Sequence, residues 1–309
     1  MHEDQMTPQI TGKSWAMVIL MGVIWGSTFF VIELALVGIT PFWLAAARIT
    51  FAGLLTSVVW GMTGWRLFTG PERAWLPLLS VAMLSTAIPF QLLSWGLQYV
   101  TSGFAGISMA TVALMVLPLA HVLVPGEKMT FRRLIGFLIG FVGVVILIGP
   151  DSFSSSGQSL EMFGKLACLG AAACYAMSSI TMRRLPPIDP FGLSAIVLLI
   201  GSVFVIATAY AVEGPPPLID NQTLFYVALL GLVPTAGANI LRVLVIRTAG
   251  PVFMSLVNYQ VPLWSVFFGM TILNEPARDN LFLALVLILA GLGLSQYGAL
   301  KRLFTGAAS

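Results

Sequence analysis

Charged residues are scarce in this chain of 309 residues. Only 9% of its residues are charged, whereas a soluble domain averages about 25%. Hydrophobic residues make up 58% of the chain. So few charges cannot cover a surface that faces water, which excludes a soluble enzyme, a nucleic-acid-binding protein and a disordered chain. The composition is that of a protein that crosses a membrane several times.

Histidine and cysteine are also rare, with two of each. The long apolar runs contain no Asp or Glu near their centres. An enzyme inside a membrane needs a nucleophile with a base, or carboxylates that hold a metal ion. The sequence therefore predicts no catalytic residue, no metal and no cofactor. An intramembrane enzyme that acts on a lipid-linked or membrane substrate stays open as an alternative function.

Apolar runs fill most of the chain, and prolines, glycines and short polar stretches separate them. A helix that crosses a bilayer needs about 20 mainly apolar residues. Ten runs meet this requirement, so the sequence predicts an all-α integral membrane protein. The predicted spans cover residues 14–36, 41–61, 74–97, 102–124, 131–149, 162–182, 190–211, 223–246, 251–273 and 280–299.

Lysine and arginine fall mostly on one side of the predicted bundle. With the N-terminus in the cytoplasm, eleven lie in cytoplasmic segments and two on the opposite side. Cytoplasmic loops of membrane proteins carry such an excess, which predicts that both termini are cytoplasmic. The eleven are Lys13, Arg66, Arg73, Lys128, Arg132, Arg133, Arg183, Arg184, Arg247, Lys301 and Arg302, and the two are Lys165 and Arg278.

The two halves of the chain correspond in sequence. Residues 25–28 align with residues 175–178 at an offset of 150, and Glu127 aligns with Glu275 at an offset of 148. Pro41 and Pro190 both precede a span, at an offset of 149. Each unit therefore holds five spans, and an odd number of spans inverts the second unit in the membrane.

This division predicts five segments. They are a cytoplasmic N-terminal tail at 1–13, a first five-helix unit at 14–149, an external linker at 150–161, a second five-helix unit at 162–299 and a cytoplasmic C-terminal tail at 300–309.

Several short motifs together resemble a known family. They are the tryptophan-containing stretch at 25–29, the Gly126-Glu127-Lys128 sequence after the fourth span, and Gly136, Gly140 and Gly143 in the fifth. In this order they resemble the drug/metabolite transporter superfamily, and within it the ten-helix EamA-type branch. That branch includes bacterial exporters of amino acids, aromatic ones among them, and of other metabolites. The second unit departs from the pattern, because Asn274 stands where the family has glycine.

The resemblance implies two inverted five-helix repeats around a central cavity, in the inner membrane of a bacterium. It also implies the export of small molecules by alternating access. The expected partners are a small-molecule substrate and the lipid bilayer, with no nucleic acid, and a monomer is sufficient for this function.

Ionisable residues inside the predicted spans are few. Glu33 and Arg48 lie at similar depths of neighbouring spans, so the sequence predicts a structural ion pair between them, with a substrate or proton role left open. The absence of a mid-span carboxylate disfavours a proton–cation exchanger. The absence of a basic cluster disfavours sugar phosphates. We expect neutral amino acids or similar amphipathic metabolites, and a broad multidrug or cation exporter stays open as the alternative.

A band of distinctive residues is predicted at the middle of the membrane. Mid-span prolines free backbone carbonyls, and transporters place such irregular backbone where it lines a cavity. Aromatic rings, amides and hydroxyls can hold a substrate there. The predicted cavity residues are Trp25, Ser27, Thr86, Pro89, Thr111, Tyr175, Ser178, Pro234, Asn239, Asn258, Gln260 and Pro262.

Overall fold

The structure, a computed structural model, describes residues 10–149, 160–276 and 278–305. Most of the predicted external linker and parts of both predicted tails lie outside these residues. Within the described ranges the secondary structure is helical, and β-pairing is limited to an isolated antiparallel bridge between Phe68 and Ile188.

Nine helices of the described residues are long and apolar enough to cross a membrane. A shorter helix, the ninth in chain order, completes a bundle of ten. The helices are α1 (Gly12–Ala35), α2 (Pro41–Met62), α3 (Trp75–Gly96), α4 (Ser102–Leu123), α5 (Phe131–Ile148), α6 (Leu160–Met182), α7 (Pro190–Glu213), α8 (Asn221–Ile246), α9 (Val257–Ile272) and α10 (Asp279–Thr305).

The predicted ninth span differs most from the structure. The sequence predicts one continuous run at 251–273, but turn residues at 255 and 256 interrupt it. The helix that follows, α9, has 16 residues. Helical backbone also continues past α8 as far as Met254, except at Gly250, whose φ of 87° is non-helical. The apolar pattern predicts this span but not its break, because a two-residue turn changes no hydrophobicity.

Side-chain caps fix where several helices begin. Thr11, Thr101, Thr130, Asp189 and Asp220 each accept a hydrogen bond from a backbone N–H of the first helical turn. Such caps satisfy donors that the helix itself leaves unpaired. The helix starts therefore coincide with the polar breaks between the apolar runs.

The helices pack in pairs that follow the internal repeat. Helix α2 packs against α7, α4 against α9, and α5 against α10, so equivalent helices of the two units meet. The first helix of each unit packs against the third and fourth helices of the other unit, as α1 does on α8 and α9, and α6 on α3 and α4. Each of these contacts thus has its counterpart in the other unit, which confirms the predicted all-α fold of two inverted repeats.

The turns after α4 and α9 also correspond. Gly126 has a φ of 84° and Asn274 a φ of 54°, so both adopt the left-handed conformation. Asparagine tolerates this conformation better than most residues other than glycine. Asn274 therefore preserves the turn although it replaces the glycine of the family pattern.

Glycines bring α5 and α10 into close contact. A Cβ atom at Gly136 would collide with the carbonyl oxygen of Gly291, and one at Gly291 would collide with the backbone of Gly136 and Gly140. Small residues allow such a backbone approach between helices in a membrane. The glycines of the fifth span therefore serve the contact between the two repeats.

Candidate functional site

Two segments of π-helix lie at equivalent positions of α3 and α8. They are Met83–Ala87 and Gly231–Gly237. Each contains a buried threonine, and these two threonines, Thr86 and Thr235, lie 149 residues apart, which is the spacing of the repeat. A π-helical turn disrupts the regular hydrogen bonding of a helix and is frequent at functional sites. Irregular backbone is therefore present at Pro234 and just before Pro89, whereas the third predicted proline, Pro262, lies within the regular α-helix of α9.

Trp25 of the first unit contacts the irregular segment of the second unit. Its indole Nε1 donates a hydrogen bond to the carbonyl oxygen of Pro234, at 3.1 Å. The indole ring is partly buried against the core of the bundle. This contact joins two of the predicted cavity residues, one from each repeat.

Arg48 is the cation at the centre of this region. Its Nε donates to the hydroxyl oxygen of Thr235 at 2.9 Å, and its guanidinium carbon lies 4.4 Å from the centroid of the Phe90 ring. The phenol of Tyr175 lies within electrostatic reach of the guanidinium. Arg48 is only 6% exposed, so its charge is buried among helices α2, α3, α6 and α8.

The predicted ion pair between Glu33 and Arg48 does not form. The described residues contain three ion pairs, and none joins these two side chains. Arg48 points towards α8, whereas the carboxyl of Glu33 lies near Glu275, and Oε2 of Glu33 has no hydrogen-bond partner. Depth along a helix was similar for both residues, but the side chains leave their helices in different directions.

The contacts form a continuous group of residues from both repeats. Trp25 contacts Pro234, and the adjacent Thr235 contacts Arg48. The guanidinium of Arg48 lies over the Phe90 ring and interacts electrostatically with Tyr175. We call this group the central cluster; its members are Trp25, Arg48, Phe90, Tyr175, Pro234 and Thr235.

The other predicted cavity residues are more dispersed. Ser27 and Thr111 donate to carbonyls of their own helices, those of Ile24 and Ser108. Ser178 and Pro262 are buried, and Pro262 accepts a hydrogen bond from Ser265.

Four of the remaining predicted residues carry amides or hydroxyls, namely Thr86, Asn239, Asn258 and Gln260. Thr86 donates to the carbonyl oxygens of Ala82 and Val197, the second of which lies on α7. Asn239 donates to the carbonyl of Thr235, one turn earlier on the same helix, and so adjoins the central cluster.

Gln260 and Asn258 both lie on α9. The Gln260 side chain covers Gly22 of α1. Asn258 is exposed in the first turn of α9. The break in the ninth span places Asn258 at the start of a helix, whereas counting along an unbroken span predicts the middle of the membrane.

An apolar crevice of about 380 Å³ lies beside the central cluster, between α1 and α8. Leu20 and Ile24 line it from one side, and Leu232 and Val233 from the other. Leu232 and Val233 directly precede Pro234, so the crevice and the cluster share the π-helical segment of α8. Leu20 and Leu232 are about half exposed, so the crevice opens at the outer surface of the bundle.

Carboxylates hold two helix starts at the face where Glu33 lies. Glu213, at the end of α7, accepts hydrogen bonds from the backbone N–H groups of Phe42 and Trp43 at 3.1 Å each. Glu275 accepts from the N–H groups of Ser102 and Gly103 at 2.6 and 3.1 Å. Anionic groups are favourable at helix N-termini. In both contacts the second repeat holds a helix of the first.

At the other face, arginines surround Glu127. Nη1 of Arg133 lies 3.1 Å from one carboxylate oxygen of Glu127, and Nη1 of Arg183 lies 3.4 Å from the other. The hydrogen bond from Arg133, together with Arg183, holds the pKa of Glu127 below its usual value. Arg184 donates to the carbonyl oxygen of Leu123 at the end of α4.

The sequence missed Phe90 and Thr235 and assigned Arg48 to an ion pair. The sequence does hold a signal for Thr235, because Thr86 is a predicted cavity residue and Thr235 is its counterpart in the repeat. Nothing in the apolar pattern distinguishes Phe90 from the other phenylalanines of the spans.

Comparison with known proteins gives a family for this architecture. The sequence profile of the EamA-like transporter family matches residues 13–149 and 162–296. A crystal structure with 18% sequence identity shares the fold, with a TM-score of 0.65, and covers 94% of this chain and 99% of its own.

Three relatives have similar length. "Uncharacterized transporter YoaV" of Bacillus subtilis is 22% identical over 92% of this chain and 97% of its own. "Uncharacterized inner membrane transporter YedA" of Escherichia coli K12 is 26% identical over 91% of this chain and 89% of its own. The "S-adenosylmethionine/S-adenosylhomocysteine transporter" of Chlamydia muridarum is 24% identical over 93% and 92%. With two copies of the family profile covering nearly all of its helices, this multi-pass membrane protein belongs to the EamA-like transporter family.

Proposed function

We propose that this chain exports small amphipathic metabolites, among them neutral and aromatic amino acids, by alternating access. The observation that carries the proposal is the central cluster, in which aromatic rings, a hydroxyl and a guanidinium from both repeats meet at irregular helix segments. Inverted repeats supply two equivalent ways of packing the same helices, and rocking between them exposes a fixed site to each side in turn.

The chemistry of the cluster favours a substrate with both an apolar and a polar part. The rings of Trp25, Phe90 and Tyr175 offer flat apolar faces. Arg48 offers hydrogen-bond donors with a positive charge. The positive charge also repels cations, so the alternative of a broad cation exporter is disfavoured. The name of the Chlamydia relative supports an amino-acid-like substrate, because S-adenosylhomocysteine is a neutral amino-acid derivative.

The proposed location is the cytoplasmic membrane of a bacterium, with both termini in the cytoplasm. The excess of Lys and Arg on one side supports this orientation. The proposal is of a carrier and not of an enzyme, since the six residues of the central cluster include no pair of nucleophile and base.

Reconstitution in liposomes tests the proposal. Liposomes that contain the purified protein and unlabelled phenylalanine should take up radiolabelled phenylalanine by exchange, and protein-free liposomes should not. Labelled tryptophan, leucine and alanine extend the test to other side chains. If none of these amino acids exchanges through well-folded protein, the proposed substrate class is wrong.

A further inference from the structure

We infer that Arg48 binds a carboxylate of the transported molecule. The substrates are therefore molecules with a free carboxylate, and esters or amines without one bind more weakly. This inference rests on the proposed function and names the chemical group that the central cluster recognises.

Arg48 carries a buried positive charge that no carboxylate of the described residues pairs with. Arg48 is 6% exposed, and no carboxylate of the described residues lies within ion-pair distance of it. The acidic partners of the described ion pairs are Glu127 and Glu161, at other places in the bundle. A buried charge without an opposite charge is costly, and inside a membrane such residues mark sites that bind or move ions and substrates.

Most N–H groups of the Arg48 guanidinium are available to a ligand. Thr235 accepts from Nε, and among the described residues neither terminal nitrogen has a hydrogen-bond partner. These nitrogens carry four of the five N–H groups of an arginine. A guanidinium binds a carboxylate through two parallel hydrogen bonds, a geometry that lysine does not reproduce.

The second unit shows what helix packing alone requires at the position of Arg48. Arg48 corresponds to Val197 in the second unit, since α2 and α7 both begin with proline, at Pro41 and Pro190. Thr235, the partner of Arg48, corresponds to Thr86.

The corresponding contacts differ in one respect. Thr86 donates to the backbone carbonyl of Val197 at 3.4 Å, whereas Thr235 accepts from the side chain of Arg48. At the equivalent point, α3 of the first unit and α7 of the second thus pack with an aliphatic side chain at position 197. The arginine of the first unit is therefore explained better by a ligand than by helix packing.

The neighbours of Arg48 suit the rest of such a molecule. The ring of Phe90 covers the guanidinium, and Tyr175 and Trp25 lie in the same cluster. A carboxylate at Arg48 would place a short apolar side chain among these rings and towards the crevice beside Leu232 and Val233.

A series of phenylalanine analogues tests the inference by competition against exchange of labelled phenylalanine. Phenylalanine and 3-phenylpropionate carry the carboxylate, whereas phenylalanine methyl ester and 2-phenylethylamine lack it. The wild-type protein should bind the two acids at least about tenfold more tightly than the ester and the amine, as expected for hydrogen bonds to charged groups. A wild-type protein without this preference overturns the inference.

Variants connect the preference to Arg48. Arg48→Gln should lose most of the preference for acids while it still binds the ester and the amine. Arg242→Gln is the matched control, because Arg242 is another arginine of a membrane helix but has an exposed side chain. Its preference for acids should equal that of the wild type.

Two further outcomes keep the test decisive. If Arg48→Gln folds and keeps the wild-type preference, the inference is wrong. If Arg48→Gln does not fold, Arg48→Lys replaces it. Lysine keeps the positive charge but cannot form the two parallel hydrogen bonds of a guanidinium, so this variant should still prefer acids, by a smaller factor. An unchanged factor in this variant overturns the inference.

The failure of the proposed function remains distinguishable. A protein that exchanges none of the amino acids refutes the function, whereas one that exchanges esters and amines as readily as acids refutes the inference alone.

Discussion

At the scale of single residues, position decides what an arginine does in this protein. Arg133 and Arg183 lie at the surface and hold Glu127, with side chains that are 40% and 51% exposed. Such exposed pairs stabilise a fold by only about 0.2–1 kcal/mol. Arg48 is buried with a threonine and an aromatic ring as its partners. Its charge is therefore available for a ligand.

The aromatic residues of the central cluster lead to a prediction about side-chain preference. Trp25→Ala and Tyr175→Ala should each weaken the binding of aromatic substrates more than that of small aliphatic ones. The loss of a stacked ring costs about 0.5–1.5 kcal/mol beyond the lost apolar area, which is a loss of roughly threefold to tenfold in affinity. Competition by phenylalanine and by alanine against a labelled substrate measures the two effects.

Trp75→Ala provides the matched control for these variants. Trp75 is 56% exposed and contacts Phe68, outside the central cluster. This variant should bind both substrates like the wild type. The assignment of the ligand's side chain to Trp25 and Tyr175 fails if both cluster variants, correctly folded, also bind both substrates like the wild type.

At the scale of helices, contacts between the two repeats rest on helix ends as well as on apolar faces. Glu213 and Glu275 belong to the second repeat and accept hydrogen bonds from the first turns of α2 and α4. Both contacts lie at the face of the bundle that the charge distribution predicts to be external. They join the two repeats to each other at that face.

Glu275 therefore should contribute to stability. We expect Glu275→Ala to destabilise the protein by about 0.5–2 kcal/mol, the cost of losing a capping side chain at a helix start. Thermal unfolding in detergent measures the change as a lower Tm. Glu72→Ala is the control, since Glu72 is an exposed loop residue and its removal should leave the Tm almost unchanged. Equal values of Tm for Glu275→Ala and wild type would contradict the capping role.

The cluster around Glu127 predicts a dependence on pH. Its pKa is lowered in the folded protein, mainly by the hydrogen bond from Arg133, so the unfolded chain binds the proton more tightly. The stabilisation is present above the usual pKa of a glutamate and is lost as the pH falls through the lowered value. The Tm of the wild type should exceed that of Glu127→Gln slightly at pH 7, and the difference should vanish in acid.

Salt provides an independent check on this prediction. Both partners of Glu127 are exposed, so a high salt concentration should shrink the difference in Tm at pH 7. A difference that persists unchanged at acid pH would show that Glu127 stabilises the fold by packing and not by its charge.

At the scale of the whole molecule, the sequence predicts the architecture well and the centre poorly. Apolar runs and the spacing between Pro41 and Pro190 predict ten spans in two units, and the structure confirms this fold. The sequence does not predict the direction in which a side chain leaves its helix. This direction depends on rotation about the helix axis, which counting residues along a span does not give.

The central cluster illustrates this limit. Counting depth paired Arg48 with Glu33, although Arg48 turns towards α8. The π-helical segments add to the difficulty, because an irregular turn rotates every residue that follows it. Comparison of the two repeats recovers part of the lost information, since Thr86 leads to Thr235 and shows that Arg48 has no charged counterpart.

The orientation of the molecule in the membrane is a prediction of the charge distribution alone. Residues near Glu72 should face the cytoplasm and residues near Leu218 the outside, because Lys and Arg concentrate in the loops on the side of Glu72. Both positions are exposed and suit single cysteine substitutions, after Cys168 and Cys174 have been replaced.

In sealed cells an impermeant thiol reagent should label Leu218→Cys and not Glu72→Cys. Opening the cells should make Glu72→Cys reactive as well, which shows that its thiol is accessible. Labelling of Glu72→Cys but not Leu218→Cys in sealed cells would reverse the topology, and with it the assignment of Glu213 and Glu275 to the external face.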